Sequence, residues 1–234
     1  MDHSKRRTLL ALLALPAGCT IEPLAPLATS VGESGLLSTP VRPPAIGQTW
    51  RYKKFNFYNS QLLDTVQERL SAIEAQRLNI ERQSAQGVQL ASEIHSHWGL
   101  VKQDPYWDNL QTYDEPLAIW PTDLSLGVTQ SINTNYQSDQ SSFKHWINVQ
   151  TRVMAQERIA LSCGTFETFK IEKLIRLDAP DGLKTNLFRQ DTIWFAPQVG
   201  RWVVRETNGQ FVKASRKSSL AYEDHFRWEL ESWS

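Results

Sequence analysis

The sequence predicts a mainly β protein with an antiparallel sheet and at most one or two helices. Apolar and polar residues alternate with a period of two along most of the chain beyond residue 46, as strands with one buried face require. Pro, Gly and Asn-Gly punctuate these segments at turn positions. The composition, with 41% hydrophobic and 21% charged residues, is that of an ordinary globular protein.

The β region opens with an aromatic-rich strand, in which Trp50, Tyr52 and Lys54 occupy alternate positions. A hairpin is predicted further along, between residues 78 and 94, because two alternating apolar segments flank the polar stretch Ser84-Ala85-Gln86-Gly87.

The segment 61–83 has two interpretations. Val66, Leu70 and Ile73 are spaced like one face of an amphipathic helix, and no Gly or Pro interrupts the segment. Two strands fit the same residues, and the hairpin that follows favours the strands.

The second half of the β region continues the alternation. Pro197 and Gly200 occupy the positions that a tight corner requires, and Asn208-Gly209 predicts a hairpin with a type I′ turn. Asp224 is the one residue that does not fit the buried face of the last strand. The predicted strands lie at 147–153, 169–177, 187–195 and 220–230, and a long loop is predicted at 103–123.

Residues 1–18 have the order of a secretory signal peptide. Basic residues at Lys5–Arg7 precede an apolar run at 8–15, which is too short to cross a bilayer as a helix. The pair Arg6-Arg7 also resembles a twin-arginine export signal, so the general and the twin-arginine export routes both remain open.

The end of this segment, Leu15-Pro16-Ala17-Gly18-Cys19, resembles the lipobox of bacterial lipoproteins, with Pro16 where that family usually has leucine. The resemblance implies cleavage before Cys19 and attachment of lipid, including palmitate, to this cysteine. Several acyl chains together give stable membrane anchoring. Thr20 replaces the aspartate that retains such proteins at the inner membrane in enteric bacteria, which implies the periplasmic face of the outer membrane.

Residues 19–45 are rich in Pro and Ser and predict a lipid-anchored tether, followed by a single β domain at 46–234. If Cys19 carries lipid, the second cysteine, Cys163, has no disulfide partner.

The later half of the chain is similar to uncharacterised proteobacterial lipoproteins whose domain resembles the LolA/LolB-type lipoprotein carriers. The matching segments are Cys163-Gly164-Thr165-Phe166-Glu167-Thr168-Phe169-Lys170-Ile171 and Trp194-Phe195-Ala196-Pro197-Gln198-Val199-Gly200-Arg201-Trp202-Val203. The resemblance implies a strongly curved antiparallel sheet, an open half-barrel with an apolar concave face. The residues expected to line its ligand cavity are Trp50, Tyr52, Phe169, Ile171, Trp194 and Trp202.

Other candidate sites are few. Glu93, His95 and His97 lie on one face of a strand, as metal ligands would, with Asp104 or Asp108 as a further candidate. Indole rings suited to stacking on a ligand are expected near loops, at Trp98, Trp107 and Trp120. No catalytic motif and no cofactor-binding motif occurs.

These observations lead to three functional hypotheses. The first is a lipid-anchored, periplasm-facing envelope protein that binds an apolar or acyl-chain ligand, and the second is an assembly subunit of an envelope complex that uses exposed aromatics. The third is a metal hydrolase, although the sequence otherwise predicts no enzyme and no cofactor. The 25 basic and 25 acidic residues cancel, so nucleic acid is not an expected partner, whereas a membrane is.

Overall fold

The computed structural model describes residues 30–31, 40–107, 109–214 and 219–234. Within these ranges the secondary structure is entirely β, and no helix is long and apolar enough to span a bilayer. The signal peptide, Cys19, most of the predicted tether and Asp108 lie outside the described residues. The strands are β1 (Ser30–Val31), β2 (Thr49–Asn56), β3 (Leu62–Glu74), β4 (Arg77–Ser84), β5 (Gln89–His97), β6 (Leu100–Asp104), β7 (Gln111–Ala118), β8 (Thr129–Ser138), β9 (Lys144–Leu161), β10 (Gly164–Leu177), β11 (Lys184–Ala196), β12 (Arg201–Lys213), β13 (Leu220–Tyr222) and β14 (Phe226–Trp233).

The sheet closes into a barrel. Its strand order runs β9-β10-β11-β12-β14-β2-β3-β4-β5-β6-β7-β8, and β8 pairs back onto β9 from Thr129↔Arg152 to Gln137↔Lys144. The prediction of a mainly β, antiparallel fold is confirmed, but the open half-barrel is wrong because the last strand, β14, pairs with the first strand of the ring, β2, and completes a ring of 12 strands. Closure removes the exposed sheet edges that an open barrel would leave.

The segment 61–83 forms strands β3 and β4, not a helix. Its helix-like spacing has a local cause. Val66, Glu68 and Leu70 all point into the barrel, so a charged residue interrupts the apolar alternation. A β-bulge between Leu70 and Ala72 then shifts the register before Ile73, which is exposed.

Three features of the later segments differ from their predictions. Asn208-Gly209 does not form a turn, because strand β12 continues through both residues. Glycine is required at position 209 for another reason, since a side chain there would clash with the Glu223 carboxylate. The last predicted strand is two strands, β13 and β14, and Asp224 lies in the break. The loop predicted at 103–123 contains β7.

The barrel has two distinct ends. We call the end where β2 begins at Thr49 and β14 finishes at Trp233 the proximal end, and the opposite one the distal end. β1 pairs with Glu157 and Arg158 in the last part of β9, which also finishes at the proximal end. The N-terminal segment therefore meets the barrel proximally.

The corner predicted at Pro197–Gly200 is present at the proximal end. The N–H of Gly200 donates to the carbonyl of Ala196 at 2.9 Å, and Gly200 has a φ of 73°, which favours glycine. The Arg42 N–H donates to the Pro197 carbonyl, and a Cβ at Gly200 would clash with the Arg42 carbonyl oxygen. This corner thus fixes the chain that enters the barrel.

Candidate functional site: the barrel lumen and its two openings

The centre of the lumen is filled with aromatic side chains. Trp50, Tyr52 and Trp202 are almost completely buried. Tyr52 stacks on Trp202 with ring centroids 4.0 Å apart, and its hydroxyl donates to the Trp202 carbonyl at 2.9 Å. These three residues, which were expected to line a ligand cavity, face the lumen but pack against one another and line neither opening described below.

The other three expected cavity residues divide between the two faces of the wall. Phe169 and Ile171 are buried in the wall formed by β10, where they pair with Phe195 and Ile193 of β11. Trp194 shares the outer face with Lys170, whose ammonium lies 5.2 Å from the indole ring, and its Nε1 donates to Glu157 at 2.6 Å.

Beneath the aromatic layer lies a buried ionic network. The Arg201 guanidinium donates through Nη2 to Glu68 at 2.7 Å and also to Glu93, and Arg82 donates to Glu68 at 3.1 Å. The Tyr106 hydroxyl donates to Glu68 as well. The Arg201 guanidinium also lies 5.1 Å from the Trp50 ring and 5.4 Å from that of Trp202, so aromatic faces cover its remaining edges.

The groups of this network stabilise one another's charged forms. Burial raises the pKa of Glu93, but Arg201 and His95 outweigh it, and the pKa lies well below its usual range. Burial lowers the pKa of Arg201, yet Glu93 and Glu68 raise it well above its ordinary value. Burial, with the carboxylates of Glu68 and Glu93, raises the pKa of Tyr106, so its hydroxyl keeps the proton that it donates.

A second buried group lies further along β12. Arg205 donates to both carboxylate oxygens of Asp191 at 2.9 Å, and Lys173 donates to Asp191 at 3.1 Å. Asp104 also lies here, 3.5 Å from Arg205. Burial raises the pKa of Asp191. The charges of Arg205 and Lys173 lower it by more than burial raises it, so the pKa lies below its usual value.

These networks were not predicted, although the sequence contains part of their signal. Glu68 and Arg82 occupy positions that alternate with exposed ones, and this strand pattern places them inside, whereas Arg201 and Arg205 lie in a stretch of β12 that is buried throughout. Charged residues on such a pattern are normally assigned to solvent.

The three residues proposed as metal ligands do not form a site. Glu93 and His95 share a face, as predicted, but it is the lumen, where His95 Nε2 donates to Glu93 at 2.8 Å and Nδ1 accepts the Gly99 N–H. His97 is exposed beyond a β-bulge. No group of three metal-ligating side chains occurs in the part of the chain that the structure describes.

The lumen opens at its distal end into a cavity of about 490 Å³. Lys54, Arg82 and Trp228 line it, and Tyr106 and Trp107 close it on one side. The Lys54 ammonium lies 3.7 Å from the Phe226 ring. The lining of this mouth therefore combines aromatic rings with charged side chains of both signs, since Asp64 also contributes to it.

The second opening is lateral and lies towards the proximal end. β7 and β8 pair only over Gln111–Tyr113 and Tyr136–Ser138, and then separate around Pro116, which has no N–H to offer a partner strand. The resulting cleft has a volume of about 400 Å³, within the range of small-molecule sites. None of its lining side chains is charged: they are Leu100, Pro116, Ala118, Gln130, Ser131, Ile132, Val149 and Thr151.

The indole rings expected to be exposed near loops are not. Trp120 is buried, and Trp98 and Trp107 pack against the core. Trp98 donates through Nε1 to the Gly200 carbonyl at 2.9 Å, and Trp107 lies under Arg189. The exposed indole on the barrel wall is instead Trp146 of β9, which faces outwards because Ile147 faces inwards.

No family model and no curated protein matches this chain. Among solved structures, a candidate lipoprotein of Parabacteroides distasonis ATCC 8503 matches with 14% identity and a TM-score of 0.50, covering 82% of this chain and 97% of that one. A candidate exported protein of Bacteroides fragilis NCTC 9343, described as having a YmcC-like fold, matches with 13% identity and a TM-score of 0.53, covering 84% and 99%.

The hypothetical lipoprotein YmcC of Escherichia coli K12 aligns with 11% identity and a TM-score of 0.43, covering 80% of this chain and 84% of that one. None of the three is described as a LolA- or LolB-type carrier. At these identities the comparison defines the fold alone. The chain has the closed β-barrel fold that the description of the Bacteroides fragilis protein calls YmcC-like.

Proposed function

We propose that this protein is a lipid-anchored component of the bacterial envelope, held at the periplasmic face of the outer membrane through Cys19, and that it binds an acyl chain in the lateral cleft between β7 and β8. The observation that carries the proposal is the uncharged cleft in the barrel wall, near the end that receives the N-terminal segment. The candidate lipoprotein and the candidate exported protein with similar folds support an envelope location.

The length of the proposed tether supports a position of the cleft near lipid. Ser30 is 11 residues after Cys19, so the chain between them spans at most about 40 Å when fully extended. β1 begins at Ser30 and pairs near the proximal end, so an anchor at Cys19 holds that end of the barrel close to the bilayer. An acyl chain leaving the bilayer would reach the lateral cleft before it reached the charged distal mouth.

The chemistry of the two openings also favours the cleft. An acyl chain gains about 0.8 kcal/mol for each methylene group removed from water, provided that no buried charge is uncovered in exchange. The cleft meets this condition, because its floor is formed by side chains such as Ile132 and Val149. The distal mouth contains Lys54 and Arg82 and does not meet it.

The anchor is tested by Cys19→Ser. We expect the wild-type chain to incorporate labelled palmitate and to fractionate with outer membranes, and the variant to lose both properties because it lacks the thiol. Fractionation of the variant with membranes at the wild-type mature mass would contradict lipid attachment at this residue.

The cleft is tested with a photoactivatable fatty acid. We expect crosslinks in peptides that contain Pro116–Ala118 and Gln130–Ile132, and we expect Ile132→Trp to abolish them by filling the cleft. Asn133→Trp is the matched control, since Asn133 is the next residue of β8 and lies on the outer face. Equal labelling of the two variants would refute acyl-chain binding in the cleft.

The distal rim supports the second hypothesis, an assembly subunit. Tyr58, Phe143 and Tyr222 are 67%, 74% and 65% exposed and lie near the distal end of the barrel. Exposed apolar side chains grouped at one end are typical of protein contact sites. Native mass spectrometry of the detergent-extracted protein separates the hypotheses, since a retained lipid supports the cleft and a stoichiometric protein released by Phe143→Ser supports assembly.

A further inference from the structure

A groove of about 480 Å³ lies on the outer wall of the barrel, away from both openings of the lumen. It crosses four adjacent strands towards the distal end, because Arg176 of β10 pairs with Phe188 of β11, which pairs with Gln210 of β12. The lining residues are Trp146, Arg176, Leu177, Asp178, Asn186, Leu187, Phe188 and Gln210.

One wall of the groove is an indole without aromatic partners. Trp146 is 42% exposed, and no ring stacking or cation–π contact involves it within the described residues. Phe188, which is half-buried, adds a second aromatic surface. An exposed indole loses little conformational entropy when it is covered, so it suits a flat ligand face.

The polar side chains of the groove are not used by the fold. Arg176, Asn186 and Gln210 are exposed or half-exposed, and none of their side chains makes a hydrogen bond or an ion pair to another described residue. Together they present both donors and acceptors with planar geometry.

Asn186 is held in an unusual backbone conformation. Its φ is 49°, in the left-handed region that costs a non-glycine residue energy, and it lies where a β-bulge interrupts the register between Thr185 and Phe188. Bulges of this kind re-aim side chains and are frequent beside functional sites. Here the bulge lies at the groove, next to Phe188.

We propose that this groove binds a neutral saccharide. A sugar ring has an apolar C–H face that stacks on an indole and a rim of hydroxyl groups that pair with amide and guanidinium groups. Asp178 lies in the same groove as Arg176 and offsets its charge, which argues against a simple anion. This inference does not depend on the acyl-chain site or on Cys19.

The neutral saccharide has two sources in a bacterial envelope, the N-acetylglucosamine units of peptidoglycan strands and the neutral hexose units of the outer core of lipopolysaccharide. Full-length protein in detergent is titrated separately with chitotetraose, which represents the first source, and with a neutral outer-core hexose oligosaccharide without phosphate or Kdo groups, which represents the second. The indole N–H signals of the nine tryptophans are followed by NMR. We expect one of the two saccharides to shift the Trp146 signal saturably.

The variants test the groove itself. We expect Trp146→Ala to weaken binding at least about tenfold, and Asn186→Gly, which relieves the backbone strain, to weaken binding while the fold is retained. Met154→Ala, on the same strand as Trp146 and 43% exposed outside the groove, is the control and should bind as the wild type does. The proposal is overturned if neither saccharide binds at up to about 10 mM, or if binding survives in both groove variants.

Discussion

Arg201 is buried among two carboxylates and two indole rings, in a position where the desolvation cost of a charge is high. Its contacts with Glu68 and Glu93 join β12 to β3 and β5 across the lumen. A network of this kind adds little net stability over an apolar core, but the loss of one member leaves its partners buried without a counter-charge.

We therefore expect Arg201→Met to lower the free energy of unfolding by about 3–5 kcal/mol. Arg158→Met is the matched control. Arg158 also pairs with a carboxylate, Glu167, but its side chain is 60% exposed, and surface pairs of this kind contribute about 1 kcal/mol or less. Urea denaturation of both variants measures the difference in the free energy of unfolding. Equal losses would show that the lumen network contributes no more to stability than a surface ion pair does.

Single residues also determine how far the site could be predicted. Trp50, Tyr52 and Trp202 were expected to line a ligand cavity because of the family resemblance, and they are buried in the lumen but line neither opening. Glu68 and Glu93 were not assigned to the core, because a single sequence does not reveal which charged positions find partners across a lumen.

At the scale of elements, the Pro197–Gly200 corner shows what turn chemistry specifies. Its sequence predicts a tight turn, and the structure contains one. The sequence does not show that the chain around Arg42 packs against this corner, because that contact joins segments more than 150 residues apart.

Two glycine variants separate backbone strain from crowding. Gly47 and Gly200 both have positive φ values, of 92° and 73°, but only at Gly200 would a Cβ meet another backbone segment. We expect Gly47→Ala to lower stability by about 1 kcal/mol from strain alone, and Gly200→Ala to lower it further because Arg42 must move. Thermal unfolding ranks the two, and the reverse order would contradict the contact with Arg42.

The strands themselves were predicted better than their connections. Those near 147–153, 169–177 and 187–195 are confirmed, since alternation is a local property. The hairpin predicted at Asn208-Gly209 is absent. The glycine at this position leaves room for the Glu223 side chain and does not form a turn. β7 was missed because its second half lacks a β8 partner and its sequence, which includes Pro116, is that of an edge strand.

At the scale of the whole molecule, the closed barrel was missed because closure depends on one long-range pairing, β14 with β2, that alternation does not encode. Alternation predicts which residues of each strand face inwards. It does not predict how many strands form the ring or that the ring closes. The pairing decides more than shape, since it encloses the ionic networks.

Those networks predict acid sensitivity. The folded-state pKa values of Glu93 and Asp191 lie below their ordinary values of 4.5 and 3.8, so each carboxylate stabilises the fold above its unfolded pKa, and this contribution is lost as the pH falls towards the folded value. Each unit of depression is worth about 1.4 kcal/mol.

We therefore expect the melting temperature to be steady near neutral pH and to fall steadily below about pH 4.5. Calorimetry between pH 7 and pH 3 measures this dependence. Glu93→Gln should be less stable at pH 7 but should lose less on acidification. An unchanged melting temperature at pH 3 in the wild type would mean that the buried carboxylates do not couple folding to protons.

The even number of strands brings the beginning of β2 and the end of β14 together, where the Ser234 N–H donates to the Thr49 carbonyl at 3.1 Å. A short linker could therefore join these two points and new termini be cut in a distal loop, giving a circular permutant with an unaltered barrel. A fluorescent reporter fused after Ser234 would, for the same reason, sit on the side of the barrel that receives the tether and leave the outer groove and the distal rim unobstructed.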